Sequence, residues 1–174
     1  MESINESLEE INKKEQIKHI LSIDIGAEQQ AQMIMVLLEL KPAAELYLYP
    51  WNSSIDKTEE ELSKSGLLYL KKENKKQNNT VAEYVISKNE QLMNRLLSCS
   101  SSSEYGELMG YPKTAIQAFE KKDVYKGPLP KDIEESIFKM AFSNENFTEE
   151  FETIRKWNEA LLKYAPDWKN PRNG

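Results

Sequence analysis

Few side chains in this sequence are of the types that perform nucleophilic catalysis. The chain holds one cysteine, Cys99, and one histidine, His19. A cysteine nucleophile needs a nearby base, and His19 is the one imidazole that could provide it. Because an isolated thiol usually behaves as a small hydrophobic group, we expect Cys99 to be a buried structural residue. We expect His19 to lie at the surface or half-buried on a helix.

Metal and carboxylate chemistry are also disfavoured. One cysteine and one histidine exclude a multi-thiolate or two-histidine metal site within one chain. Adjacent carboxylates occur at residues 59–61, 134–135 and 149–150, where each group falls at a predicted helix start and complements the helix dipole. We therefore predict no catalytic residue set, no metal site and no cofactor.

A serine tract at residues 100–103 could present hydroxyls and backbone N–H groups to an anion. The glycine patterns of the common phosphate-binding loops do not accompany it. A turn followed by a helix cap is the alternative interpretation.

The segment EYGELMGYPKTAIQAF, residues 104–119, is the strongest candidate for a functional site. A glycine inside a helix costs about 1 kcal/mol relative to alanine, so Gly106 indicates close packing or access for a bound group. Gly110 can adopt the left-handed conformation that ends a helix, and Pro112 suits the first turn of the next helix. The predicted binding residues are Gly106, Gly110, Tyr111, Pro112, Lys113, Thr114 and Gln117.

The same segment resembles the motif G-x-L-L-G-Y-P-x-C-C-x-x-x-F of a small family of uncharacterised, mostly archaeal proteins. The G-Y-P core and the final Phe119 match. The resemblance covers roughly residues 40–120 and implies a fold more than an activity. Thr114 and Ala115 stand where the motif has paired cysteines, so any thiol chemistry of that family is absent here.

A second similarity, of LMGYPKTAIQAF to the later half of a helix-turn-helix, suggests a DNA-binding regulator. Lys113, Thr114 and Gln117 would then face the bases. The third interpretation is an ordinary corner between a glycine-terminated helix and a proline-started helix.

The elements that position these residues indicate an α/β fold. Residues 44–49, 67–70 and 81–86 are rich in β-formers between turn signals, and we predict a small mixed sheet of these three strands, covered by helices. Thr80 with Glu83 could instead cap a helix at the third of these segments. The C-terminal half is predicted to be helical. We expect one domain over residues 1–174, with residues 88–165 as a candidate helical subdomain.

Local sequence signals predict three helix boundaries. Residues 27–40 read as a helix that the Lys41-Pro42 step ends, because a residue before proline avoids the helical region. Thr58 with Glu61, and Ser101 with Glu104, are capping boxes. We expect both to mark helix starts.

The net charge and the hydropathy of the chain limit the kinds of partner that it is expected to bind. With 29 acidic and 23 basic residues the net charge is −6, which disfavours binding to nucleic acid. No apolar run approaches the roughly 18 residues of a membrane span, so we expect a soluble cytoplasmic protein. The sequence favours a non-catalytic domain that binds a small molecule or a protein, centred on residues 106–119. An enzyme that assembles carboxylate, Tyr and Ser side chains in space is the remaining alternative.

Overall fold

A computed structural model of the chain describes residues 7–49, 55–72 and 81–169. These residues form eight helices and three strands. In chain order the elements are α1 (Leu8–Ser22), α2 (Ala27–Leu37), β1 (Ala43–Leu48), α3 (Ile55–Lys64), β2 (Leu68–Lys71), β3 (Ala82–Ser87), α4 (Glu90–Ser98), α5 (Ser102–Leu108), α6 (Lys113–Lys121), α7 (Lys131–Glu134) and α8 (Phe147–Tyr164).

The predicted α/β fold is confirmed, with each strand shifted by one residue from its predicted bounds. The sheet has the order β1-β3-β2, and β3 pairs antiparallel with both neighbours. The expected mixed pairing is therefore wrong for the described strands. The chain between β2 and β3 is shorter than the dozen or so residues that a parallel crossover needs, so these strands pair antiparallel.

The two faces of the sheet carry different side chains, because successive residues of a strand point to opposite faces. Ala44, Leu46 and Leu48 of β1 join the main core with Tyr84 and Ile86 of β3. That core also contains buried residues from α1, α2 and α8. The opposite face carries a smaller core, which consists of Ala43, Val85, Met93, Leu96, Leu108 and Met109.

Glu45 and Tyr47 alternate with the main-core residues of β1 and so point to the face of the smaller core. On that side α4 contacts all three strands, and α5 contributes Leu108 to the smaller core. This arrangement brings strand side chains toward α5 and the corner that follows it.

Helix α2 ends at Leu37, three residues before the predicted end at residue 40. Glu39 adopts a left-handed conformation with φ of 61°. The N–H of Leu40 then bonds the carbonyl of Met35, which closes the helix in the manner of a Schellman motif. Proline at position 42 is therefore not what ends the helix.

One of these two predicted helix starts is confirmed, although the Glu104 carboxylate accepts hydrogen bonds from Arg95. Ser101 caps α5 and accepts a hydrogen bond from the Glu104 N–H at 3.2 Å. The prediction for Thr58 is wrong, because α3 already includes Ile55 and Thr58 is buried within it. The acidic residues of that segment make tertiary contacts instead: Glu61, for example, bonds His19 at 2.8 Å.

No helix in the described ranges combines the length and the apolar character required to cross a membrane.

Candidate functional site

The corner at residues 106–119 has the backbone geometry that the sequence predicts at Gly110. Gly110 has φ of 79°, its N–H bonds the Glu107 carbonyl, and the N–H of Tyr111 bonds the Gly106 carbonyl. These two bonds form a Schellman motif that ends α5. Pro112 is the N-cap of α6 rather than a residue of its first turn.

Gly106 permits close packing of α5 on α6. A Cβ atom at this position would lie 2.8 Å from Cγ1 of Ile116, closer than side chains tolerate. The helix axis can approach Ile116 only because the residue is glycine. Gly110 likewise lies close to the segment that precedes β1, since a Cβ atom on Gly110 would lie 3.1 Å from Cδ of Pro42.

An apolar groove of about 570 Å³ runs along one side of the corner. Phe119 lies at its edge with 61% of its surface exposed, although it is a large apolar side chain. The lining residues are Cys99, Ser100, Ser101, Ser102, Tyr105, Gly106, Tyr111, Ala115, Ile116, Phe119, Met140 and Ala141. This volume lies within the usual range for ligand pockets, roughly 300–1,000 Å³.

Of the seven predicted binding residues, Gly106 and Tyr111 line this groove. Lys113 and Gln117 are exposed on α6 and do not line it. Thr114 faces the interior, where its hydroxyl donates to Oε1 of Glu150 at 2.5 Å. The three residues that the helix-turn-helix interpretation would place against DNA bases therefore do not share one free surface.

Cys99 and His19 have separate partners. Cys99 is half-buried and its thiol donates to the Ser101 carbonyl at 3.3 Å. His19 is bonded to Glu61. Cys99 packs against the smaller core and also lines the groove, so the expectation of a fully buried thiol is wrong.

A second cleft, of about 500 Å³, lies where α2, β1 and α5 meet. We call it the tyrosine cleft. Its lining residues are Gly26, Glu28, Gln29, Gln32, Glu45, Tyr47, Tyr49, Tyr105, Met109 and Tyr111. Tyr105 and Tyr111 belong to both cavities and form the wall between them.

Glu45 is the centre of a hydrogen-bond cluster in this cleft. Its Oε2 accepts from the hydroxyls of Tyr47 at 2.7 Å and Tyr105 at 2.9 Å, and its Oε1 accepts from Lys72. Burial alone would raise the pKa of Glu45, but these donors outweigh it and hold the pKa below its ordinary value. Burial, followed by the bond to Glu45, raises the pKa of both tyrosines. The cluster therefore consists of one carboxylate, the Lys72 side chain and two neutral phenols.

Lys41 is buried beneath the wall of the tyrosine cleft, with only 2% of its surface exposed. Its ammonium donates to Oε1 of Gln32 and lies over the rings of Tyr111 and Trp157, at 5.1 Å and 4.8 Å from the ring centres. Burial lowers the pKa of Lys41 to about 7, against a smaller opposite effect of Glu28.

The sequence could not reveal the Glu45 cluster or the burial of Lys41. The strand pattern places Glu45 and Tyr47 on one face, but their contact with Tyr105 depends on packing between segments 60 residues apart in the chain. Lys41 stands between Leu40 and Pro42, and nothing in that context distinguishes it from a surface lysine.

In the described part of the chain, no group of three or more His, Cys, Asp or Glu side chains is arranged to hold a metal ion. Comparison with models of known protein families, with curated proteins and with solved structures gave no match to this chain. The resemblance of residues 106–119 to the archaeal motif therefore stays a prediction from the motif itself.

Proposed function

We propose that this protein is a non-catalytic binding domain and that its apolar groove holds a small, mainly apolar molecule. The observation that carries the proposal is the exposed ring of Phe119 at the edge of a groove whose inner wall is Ala115 and Ile116. Exposing an aromatic side chain costs hydrophobic free energy that burial against a ligand recovers.

The lining of the groove combines polar and apolar side chains. Ser100, Ser101 and Ser102 line it together with the apolar residues Ala115, Ile116 and Phe119 of α6. A ligand with an apolar body and one polar end matches this distribution, since pockets usually combine apolar walls with a few polar groups that orient the ligand.

The experiment uses anilinonaphthalene sulfonate, a probe with apolar rings and one polar end. Its fluorescence should rise on binding to the native protein and saturate. The Phe119→Ala variant should weaken binding about three- to tenfold, because it removes most of the aromatic surface at the edge. Leu162→Ala is the matched control, since Leu162 is 65% exposed on α8 and lies outside the groove.

Cys99 provides an independent readout of the same site. It is the chain's one cysteine and lines the groove, so bound probe should slow its modification by a maleimide. A probe signal that both variants retain equally, together with an unchanged rate of Cys99 modification, would reject the groove as the binding site.

A further inference from the structure

Among the described residues that line the tyrosine cleft, two are glutamates and none is Lys, Arg or His. Glu28 and Glu45 both line it, and Glu45 is the partner of Lys72 while Glu28 is exposed on the first turn of α2. Oε1 of Gln29 is buried in the described structure without a hydrogen-bond partner. Lys41 is beneath the wall and does not line the cleft.

The cleft walls are aromatic. Tyr47 and Tyr49 come from β1, and Tyr105 and Tyr111 come from the α5 end of the corner. The hydroxyls of Tyr47 and Tyr105 donate to the Glu45 carboxylate, which fixes the positions of both rings. A phenol that donates to a carboxylate keeps an electron-rich ring face, and such faces attract cations.

A cavity lined by four tyrosines and by the exposed carboxylate of Glu28 is chemically suited to an organic cation. The apolar substituents of a methylated ammonium group contact the ring faces, while its charge interacts with the ring quadrupoles and the carboxylates. A metal ion fits less well, because ring faces do not replace its oxygen ligands. An anion would meet the carboxylates of Glu28 and Glu45, and no lysine is among the described residues that line the cleft.

We propose that the tyrosine cleft is a second binding site, distinct from the apolar groove, for a small molecule that carries a methylated ammonium group. This site uses the ring faces of Tyr47 and Tyr105 as walls and Glu28 as the charged partner. Met109 supplies apolar surface within the same cleft.

Isothermal titration calorimetry with choline tests the proposal against dimethylbutanol, the neutral isostere in which carbon replaces nitrogen. Choline should bind saturably, with a dissociation constant of about 1 mM or lower for a ligand of this size. The neutral isostere should bind about tenfold more weakly or not at all. Equal binding of the two compounds, or no saturable binding of choline, would overturn the site.

Two pairs of variants separate the contributions of charge and ring. Glu28→Gln should weaken choline binding about two- to fivefold, whereas Glu120→Gln makes the same change of net charge on α6, outside the cleft, and should have no effect. Equal losses in these two variants would show a general charge effect and contradict the proposal.

The second pair is Tyr47→Leu and Tyr47→Phe. Phenylalanine keeps a ring that can face the cation, so Tyr47→Leu should weaken choline binding about threefold more than Tyr47→Phe does. Equal binding by these two variants would remove Tyr47 from the site. Because Glu28 is exposed on the helix surface, the Glu28 pair remains decisive even if a Tyr47 variant does not fold.

Discussion

The ammonium nitrogen of Lys41 lies 5.1 Å from the centre of the Tyr111 ring. The same nitrogen lies 4.8 Å from the centre of the Trp157 ring. This buried lysine thus joins three parts of the fold: the entry to β1, the corner after α5, and α8. Its hydrogen-bond acceptor is the neutral amide of Gln32, so the charge is compensated by rings and an amide rather than by a bonded carboxylate.

The pKa of Lys41 predicts how stability depends on pH. The pKa is about 7 in the folded chain and about 10.4 in an unfolded one. Between these values the unfolded chain binds more protons, so the free energy of unfolding rises with pH. Below pH 7 both states are protonated, and the full cost of burying the ammonium is present.

Lys41→Met should therefore stabilise the protein at pH 6 by about 1–3 kcal/mol, since it replaces a buried charge with an apolar side chain of similar length. The gain should shrink steadily between pH 7 and pH 10. Urea unfolding at several pH values measures the difference between the two proteins. A gain that does not change with pH would show that Lys41 titrates normally.

The buried carboxylate of Glu150 ties the start of α8 to the start of α6. Only 2% of Glu150 is exposed. Its Oε2 accepts from the Ser143 N–H at 2.6 Å, and its Oε1 accepts from the hydroxyls of Ser143 and Thr114 at 2.8 Å and 2.5 Å. All three contacts are donors to the carboxylate.

Glu150→Gln should destabilise the fold by about 1–3 kcal/mol. The amide replaces one carboxylate oxygen with an NH₂ group, which would face the donor groups of Ser143 and Thr114 and could not accept from them. Thr114→Val should cost about 1 kcal/mol, the usual value of a single hydrogen bond. A double-mutant cycle of the two should be non-additive. The neighbouring Glu149→Gln, on the exposed side of α8, is the control and should stay within about 0.5 kcal/mol. Additive losses of unfolding free energy would show that the Thr114 hydroxyl stabilises the fold independently of the Glu150 carboxylate.

Local features of the sequence predicted much of the fold. The alternation in residues 44–49 identified β1 within one residue, and Ser101 capped α5 as its spacing with Glu104 indicates. Each of these depends on residues close together in the chain. The Thr58 prediction failed because α3 already includes Ile55, and because Glu61 has partners on α1, including His19, which the local pattern cannot show.

The candidate sites were less predictable. Gly106 and Tyr111, two of the seven residues predicted to bind, line the apolar groove, and their role in binding stays a prediction. The close approach that a glycine inside a helix indicates is present at Gly106. The tyrosine cleft was not predicted, because it brings together residues of α2, β1 and α5 that share no sequence pattern. The separation of Glu45 from Tyr105 by 60 positions is the physical reason: only tertiary packing determines that contact.

Gly110 offers the most direct test of the corner. Its φ of 79° lies in the left-handed region, which residues with a Cβ resist and β-branched residues resist most. A Cβ would also lie 3.3 Å from Cα of Lys41, a backbone atom that cannot rotate away. Gly110→Val should therefore cost about 1–3 kcal/mol of unfolding free energy.

Gly26→Ala is the matched control, because Gly26 has φ of −59° and no atom within 4 Å of an added Cβ. That change should stay within about 0.5 kcal/mol of the native protein. Because Gly110 holds Tyr111 between two helices, Gly110→Val should also weaken the fluorescence signal of anilinonaphthalene sulfonate in the groove, whereas Gly26→Ala should preserve it. A Gly110→Val protein as stable as the native one would show that the left-handed turn does not constrain this corner.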